Sequence, residues 1–480
     1  MDLMTTGQLA TITGGRLVGT LTNTPIGPDV VIDTRAATPG CLFVALPGEH
    51  VDGHDFTQQA ADAHAGAVLG SRETTAPLPH VVVDDPVAGL SALARHVVAS
   101  AEQLTVLAIT GSSGKTSTKD LLAQVLESDA PTVSPVGSFN NEIGVPLTAC
   151  KVDATTRYLV SEMGARGLGH IAWLCSIAAP DISMVINVGT AHMGEFGSRD
   201  VIAQAKGEII EALSPQGWAV LNADDPLVAA MSTRTTGRVA WFAVETEPPA
   251  GAALSVRAVD VEGNDLQQFS FTLRVSGVAR PSESHPVHLQ VMGRHQVANA
   301  AAAAAAAVAA GLTPVAVAQA LSAATTRSRW RMELVRTTNG AAIINDAYNA
   351  NPDSMAAAVS TLAEVATARR AQDPACRAIA ILGDMLELGP DSASLHEEVG
   401  RQVARAGIDE LISVGEFSAD MVRGAEALGA SARAMTVERV AEWVDLAPSD
   451  VVLVKASRGI GLERVADELV RRDARSGEQS

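Results

Sequence analysis

The most constraining stretch of the chain is an uninterrupted β-rich run, residues 104–109, that stops at Thr110-Gly111-Ser112-Ser113-Gly114-Lys115-Thr116-Ser117. Two glycines in a short polar turn let the backbone fold tightly enough for successive N–H groups to face a phosphate. A helix beginning just after such a turn aims its positive end at the same point. In that reading Lys115 reaches the β- and γ-phosphates and Thr116 supplies an oxygen to Mg²⁺. Position 109 is isoleucine where the generic GxxxxGK[ST] pattern has glycine, so this is a shortened phosphate loop. The plainer reading of the same residues is a Gly/Ser-rich turn with an incidental lysine. The strand before the turn and the helical stretch after it favour the nucleotide site.

A chain of 480 residues exceeds what one core usually holds. Short apolar runs alternate with helix-compatible stretches in three units, expected at residues 1–100, 101–325 and 326–480. The first has strands near residues 30–32, 42–46, 67–69 and 81–83, with a helix over 56–64. The second has strands at 104–109, 157–160, 184–188 and 219–221, a β-rich region over 241–291 and helices over 296–310 and 314–323. The third has strands at 342–344, 378–382, 410–414 and 451–454, after a polar, arginine-bearing linker at 325–330. Hydrophobic residues make up 47% of the chain and aromatics only 3%, so aliphatics and alanine must fill the cores. The alanine-rich stretch 300–310 is too short to span a bilayer and reads as a buried helix.

The formal net charge of −19 opposes attraction to nucleic acid or an anionic membrane surface. It leaves room for a local positive site, and the five lysines (Lys115, Lys119, Lys151, Lys206 and Lys455) each become informative. Cys41, Cys150, Cys175 and Cys376 are widely spaced and form no CxxC pair. They read as buried thiols of a reducing, cytoplasmic compartment. The first residues lack a basic segment followed by an apolar stretch, so no signal peptide or membrane insertion is expected.

Further blocks carry a family likeness. Asn140-Asn141-Glu142-Ile143-Gly144-Val145-Pro146 follows the phosphate loop, then Glu162-Met163-Gly164 after a strand, then Asn187-Val188-Gly189-Thr190-Ala191-His192. Ala205-Lys206-Gly207-Glu208-Ile209 and Gly293-Arg294-His295-Gln296-Val297-Ala298-Asn299 come next, in order, along nearly the whole chain. Together these resemble the Mur ligase family of ATP-dependent amide-bond-forming enzymes. The resemblance implies an α/β, three-domain architecture, with a central phosphate-loop nucleotide-binding domain and a Rossmann-like C-terminal domain. Taken alone, Glu162 would be a solvated strand end and His192 a structural histidine. Both follow strands, at the carboxyl edge where α/β domains place ligands. The resemblance implies that they complete the Mg²⁺ shell with Thr116, and that Lys206 is carbamylated, converting a cation into an anion that binds or orients a second Mg²⁺. It implies catalytic roles for Lys115, Glu162, His192 and Lys206, and adenine-side contacts for Asn222 and Asn299.

In the third unit, Asn345-Asp346-Ala347-Tyr348-Asn349-Ala350-Asn351-Pro352-Asp353-Ser354-Met355 would ordinarily be a loop. In the family, Asp346 and the upstream Arg331 close onto the nucleotide from the C-terminal domain; Asn345 stands where many relatives have aspartate. Tyr348, Asn349 and Asn351, with Asn140 and Asn141, are expected on the substrate side. The block Asp33-Thr34-Arg35, followed by Pro39 to Gly48, resembles the UDP-binding domain of the tripeptide- and pentapeptide-forming branches. Thr34 and Arg35 would face the uracil nucleotide. Leu382-Gly383-Asp384-Met385-Leu386-Glu387-Leu388-Gly389 with His396 favours the pentapeptide-forming branch, as does the absence of the Asp-Asn-Pro-Arg motif of diaminopimelate-adding relatives. Val454-Lys455-Ala456-Ser457-Arg458 is similar to the family's Lys-Gly-Ser-Arg, with Ala456 for glycine.

The resemblance therefore implies a monomeric, ATP- and Mg²⁺-dependent ligase acting on UDP-N-acetylmuramoyl-tripeptide and D-alanyl-D-alanine through an acyl phosphate. Neither a nucleic-acid partner nor a membrane-embedded one is expected. A ligase adding diaminopimelate or lysine to the dipeptide precursor, and a nucleotide-binding protein without ligase activity, remain open on sequence alone.

Overall fold

The computed structural model describes residues 1–19, 24–48, 51–189, 196 and 198–478. Three sheets organise the chain, with a two-stranded pair (Met4–Thr5 against Pro25–Ile26) beside the first. The N-terminal sheet has five strands in the order Arg16–Val18, His80–Val82, Ala67–Gly70, Leu42–Val44, Val30–Val31. Its pairings are parallel except at the first edge. The helix expected over 56–64 is shorter, Thr57–Asp62, and follows a 3₁₀ turn at Gly53–Phe56.

The central sheet has nine strands. Its first strand in the chain, Thr105–Thr110, lies between Tyr158–Glu162 on one side and Ile182–Val185 on the other, all parallel. From this strand the chain winds outward in both directions, so the crevice at its carboxyl end is a topological switch point. Open α/β sheets bind ligands at such points. Trp218–Asn222, Arg238–Ala243 and Leu254–Gly263 extend the parallel part. The β-rich region resolves into antiparallel extensions, Gln268–Gly277 and Arg280–Met292.

The alanine-rich helix forms as expected, His295–Ala309, and Ala300 to Ala307 are each fully buried. They share a core with Leu121, Leu122, Val125 and Leu126 of the helix Lys115–Glu127 and with Val220, Phe242 and Val256 of the sheet. A helix covered on all sides needs no polar face, and methyl side chains let it approach both neighbours closely. That packing fixes the helix carrying the phosphate loop.

The C-terminal sheet has six strands in the order Glu333–Arg336, Ala342–Asn345, Val451–Lys455, Ala378–Gly383, Glu410–Val414, Ser431–Met435. Only the first pairing is antiparallel. The helix Pro352–Gln372 starts with a capping box between Asn351 and Ser354, and its first turn faces the central unit. Among the described residues no helix is long and apolar enough to cross a membrane.

Candidate active site

The phosphate loop occupies the switch-point crevice. Gly114 adopts φ +78 as the helix N-cap, and a Cβ there would lie 2.7 Å from Asn299 Oδ1. Glycine is therefore required both for the backbone turn and for the close approach of the alanine-rich helix. Asn187 Oδ1 accepts from the N–H groups of Ser112 and Ser113, each at 3.0 Å, and its amide donates to Ser113 O at 3.2 Å. The adjacent strand thus sets the loop's shape through one side chain. Lys115 Nζ donates to Gly111 O at 2.8 Å, folding the lysine over the loop.

A cavity of about 670 Å³ opens in front of this loop. It is lined by Ser112, Ser113, Gly114, Lys115, Thr116 and Ser117, by Asn140, Asn141 and Glu162, and by Lys206, Asn222 and Asn299. From the C-terminal unit come Arg331, Asp346, Tyr348, Asn349 and Asn351, and from the N-terminal unit Ile32. The structure thus gathers around one space residues more than 200 positions apart in the sequence. Thr34 and Arg35 are not among the lining residues; they sit on a 3₁₀ turn where Arg35 is exposed and paired with Asp33. His192 lies outside the described residues.

Burial governs the charges here. It lowers the Lys115 pKa, Glu162 opposes the shift, and Arg331 adds to it. Burial also pushes Lys206 well below the ordinary lysine value, with the Lys115 charge adding to the effect. Glu162 is 1% exposed; its Oε1 accepts from Asn140 Nδ2 at 2.8 Å, and its Oε2 is buried without a hydrogen-bond partner among the described residues. Thr116 Oγ1 lies 2.7 Å from Ser138 Oγ. Among the described residues no cluster of three His, Cys, Asp or Glu side chains forms a ready metal cage. An orphan carboxylate oxygen and a hydroxyl in the lining of one cavity suit Mg²⁺, which takes few protein oxygens and completes its shell with water and phosphate. The residues present fit that ion.

The C-terminal wall is a connected polar network. Lys455, 2% exposed, donates to Asp346 Oδ2 at 2.6 Å and to Asn349 O at 2.8 Å. Asp346 Oδ1 accepts from Met332 N at 3.0 Å. Arg331 lies over the Tyr348 ring, 4.2 Å from its centroid, and donates to Ser138 Oγ at 2.8 Å. His295 also belongs to the lining. Sequence reasoning gave no role to Ser138, Asn187 or His295, and treated Lys455 only as part of a motif. The scarcity of lysine was the available signal: Lys115, Lys206 and Lys455 line this one cavity and Lys119 lies immediately behind it. In so acidic a chain that concentration marks a site for an anion.

The comparisons with known proteins agree along the whole length. Residues 29–108 match the Mur ligase family catalytic domain, 109–307 the Mur ligase middle domain and 330–458 the Mur ligase glutamate ligase domain. The UDP-N-acetylmuramoyl-tripeptide–D-alanyl-D-alanine ligase of Mycobacterium tuberculosis is 41% identical, over 98% of each chain. That of Escherichia coli is 35% identical, over 98% of this chain and 99% of its own. A crystal structure of MurF from Acinetobacter baumannii superposes with a TM-score of 0.83 at 29% identity, covering 98% of this chain and 99% of that one. A likeness so continuous, in sequence and in fold, admits one conclusion: this chain belongs to the Mur ligase family.

Proposed function

We propose that the chain joins D-alanyl-D-alanine to a UDP-N-acetylmuramoyl-tripeptide at the expense of ATP, giving the pentapeptide, ADP and phosphate, a step of peptidoglycan precursor synthesis. The observation that carries the reading is the end-to-end likeness to ligases of that name, at 41% and 35% identity. By contrast, the solved ligase that adds 2,6-diaminopimelate to UDP-N-acetylmuramoyl-L-alanyl-D-glutamate is 16% identical with a TM-score of 0.51, a likeness of fold alone.

The chemistry must overcome the inertness of a carboxylate toward an amine. A carboxylate oxygen of the tripeptide attacks the γ-phosphorus, the bond to the bridging oxygen breaks, and ADP leaves an acyl phosphate behind. The free amine of the dipeptide then adds to the acyl carbon, phosphate departs with the bonding pair, and the amine loses its proton. In this reading the backbone N–H groups of residues 111–116 cradle the phosphates. Lys115 spreads the charge that develops on the transferring group, and a polyphosphate beside it restores the cationic form that burial disfavours. Mg²⁺, held by Thr116 and Glu162 with His192 and a carbamylated Lys206 as further ligands, would neutralise charge on the phosphates. Arg331 and Asp346 close the site from the C-terminal side, while Asn222 and Asn299 take the adenine side. An acyl phosphate is labile in water, so a cavity walled by separate units suits it. We assign residues 1–100 to the UDP-muramoyl end, 101–325 to ATP and 326–480 to the incoming dipeptide. Four buried free cysteines suit a reducing cytoplasm, and we propose a monomer there.

The test is ADP and phosphate release from Mg-ATP and UDP-N-acetylmuramoyl-tripeptide, with and without D-alanyl-D-alanine, with mass analysis of the product. Release that depends on the dipeptide, with a pentapeptide product, is expected. Absence of turnover with both the diaminopimelate and the lysine tripeptide, in protein that binds ATP, would sink the reading.

A further inference from the structure

Ser138 lies where the phosphate loop and the C-terminal unit touch a common atom. Its Oγ is 2.7 Å from Thr116 Oγ1 and accepts from Arg331 Nη2 at 2.8 Å. The loop that carries it is pinned from behind. Lys119, 1% exposed, donates to Pro135 O at 2.9 Å and Gly137 O at 3.0 Å, and Asp120 Oδ1 balances its charge at 2.7 Å. The other oxygen of Asp120 accepts from Ser328 N at 3.1 Å, in the linker that leads to Arg331. Two adjacent residues of the helix Lys115–Glu127 therefore hold both the Ser138 loop and the start of the C-terminal unit.

Proton accounting gives this arrangement a direction. A serine hydroxyl has one proton and two lone pairs. One lone pair receives the Arg331 N–H. A threonine that offers lone pairs to a cation keeps its own proton and needs an acceptor for it, and the second lone pair of Ser138 lies at hydrogen-bond distance. We propose that Ser138 is a positioning residue that couples the two sides of the site. It accepts the hydrogen bond of the Thr116 hydroxyl, so that the threonine's lone pairs stay free for the cation that accompanies the phosphates, and it seats Arg331 only while that bond is made. The inference rests on the nucleotide-site reading above and adds to it a link between phosphate binding and the position of the C-terminal arginine.

The isosteric pair Ser138→Thr and Ser138→Val differs by one oxygen and isolates the hydroxyl. The Thr variant should ligate within about twofold of the parent, and the Val variant should lose roughly tenfold or more in kcat, as for a hydrogen bond to a charged group. Calorimetry gives a second readout: the Val variant should lose the Mg²⁺-dependent part of ADP affinity and keep the affinity measured without Mg²⁺. In the Arg331→Met background the Val change should cost clearly less than in the parent, because the shared Arg331 contact is already gone and only the Thr116 bond is left to lose. Equal activity of the Thr and Val variants, or losses that multiply in the double variant, would overturn the proposal. If the Val variant melts early, Ser138→Ala replaces it in the same comparisons. Should the parent protein fail to ligate at all, the functional reading falls, while the Mg²⁺-dependent binding still decides the role of Ser138.

Discussion

A lysine that is 4% exposed, with no hydrogen-bond or ion-pair partner among the described residues, is costly to keep as a cation. Burial accounts for most of the downward shift of Lys206 and the Lys115 charge for the rest. The sign matters for chemistry. A lowered pKa enlarges the neutral fraction near pH 7, and only the neutral amine adds to CO₂, releasing a proton as the carbamate forms. Acidification through the folded pKa reprotonates the amine and returns CO₂. Protein equilibrated with ¹³C-bicarbonate should therefore show one carbamate carbonyl resonance that is missing from Lys206→Met, and the resonance should fade together with ligation as pH falls. No such resonance at any pH would mean that Lys206 acts as a plain amine. The sequence disclosed Lys206, Lys115 and Asp346 because each stands inside a contiguous motif. It did not disclose the Lys455–Asp346 ion pair or the Ser138–Arg331 bond, whose partners are 109 and 193 positions apart. Such pairings depend on how two units meet, which no local spacing encodes. Arg35, expected on the substrate side, is exposed and pairs with Asp33 two positions away.

Elements that bury both faces were readable to within two residues of their ends, because a run of apolar residues needs no partner to be recognised. Tyr158–Glu162, Ala378–Gly383 and Val451–Lys455 are buried throughout. Three edge strands were missed: Glu333–Arg336 and Ser431–Met435 mix exposed and half-buried positions and carry charge, and Thr132–Val133 has only two residues. The helix His295–Ala309 is the strongest element-scale commitment of the sequence to this fold. Ala300 to Ala307 sit at zero exposure between the phosphate-loop helix and the sheet, where no space remains for larger side chains. Ala303→Leu should cost about 1–3 kcal/mol by overpacking, read as a fall in the denaturation midpoint. Because the same helix backs the phosphate loop, ADP affinity should weaken as well. An unchanged midpoint would show that the helix can slide on its neighbours and does not fix the loop.

At the scale of the molecule, function depends on two units reaching one cavity, and a single glycine reports whether they do so in the working state. A Cβ on Gly189 would lie 2.5 Å from Asp353 Oδ2, the carboxylate in the first turn of Pro352–Gln372. It would meet Ser112 Cβ only at an ordinary 3.4 Å. The added methyl therefore obstructs the approach of the C-terminal unit far more than it disturbs the phosphate loop. Aspartate is short and held at a helix start, so it cannot swing aside as a lysine could. The approach also draws on local backbone tension. Trp330 and Met332 flank Arg331 with φ of +61 and +50, conformations that cost of order 1–3 kcal/mol each in non-glycine residues. They are held there by Trp330 N donating to Glu333, Met332 N to Asp346 and Arg331 to Ser138. Gly189→Ala should bind ADP nearly as the parent does while losing about a hundredfold in kcat, the cost of displacing reacting groups by roughly an ångström. Shortening the opposing carboxylate in Gly189→Ala/Asp353→Ala should recover part of that loss if steric contact is its cause. Full activity in the single variant would show that ligation proceeds with the units further apart than they stand here. An equal loss of ADP affinity would instead place the damage inside the phosphate loop.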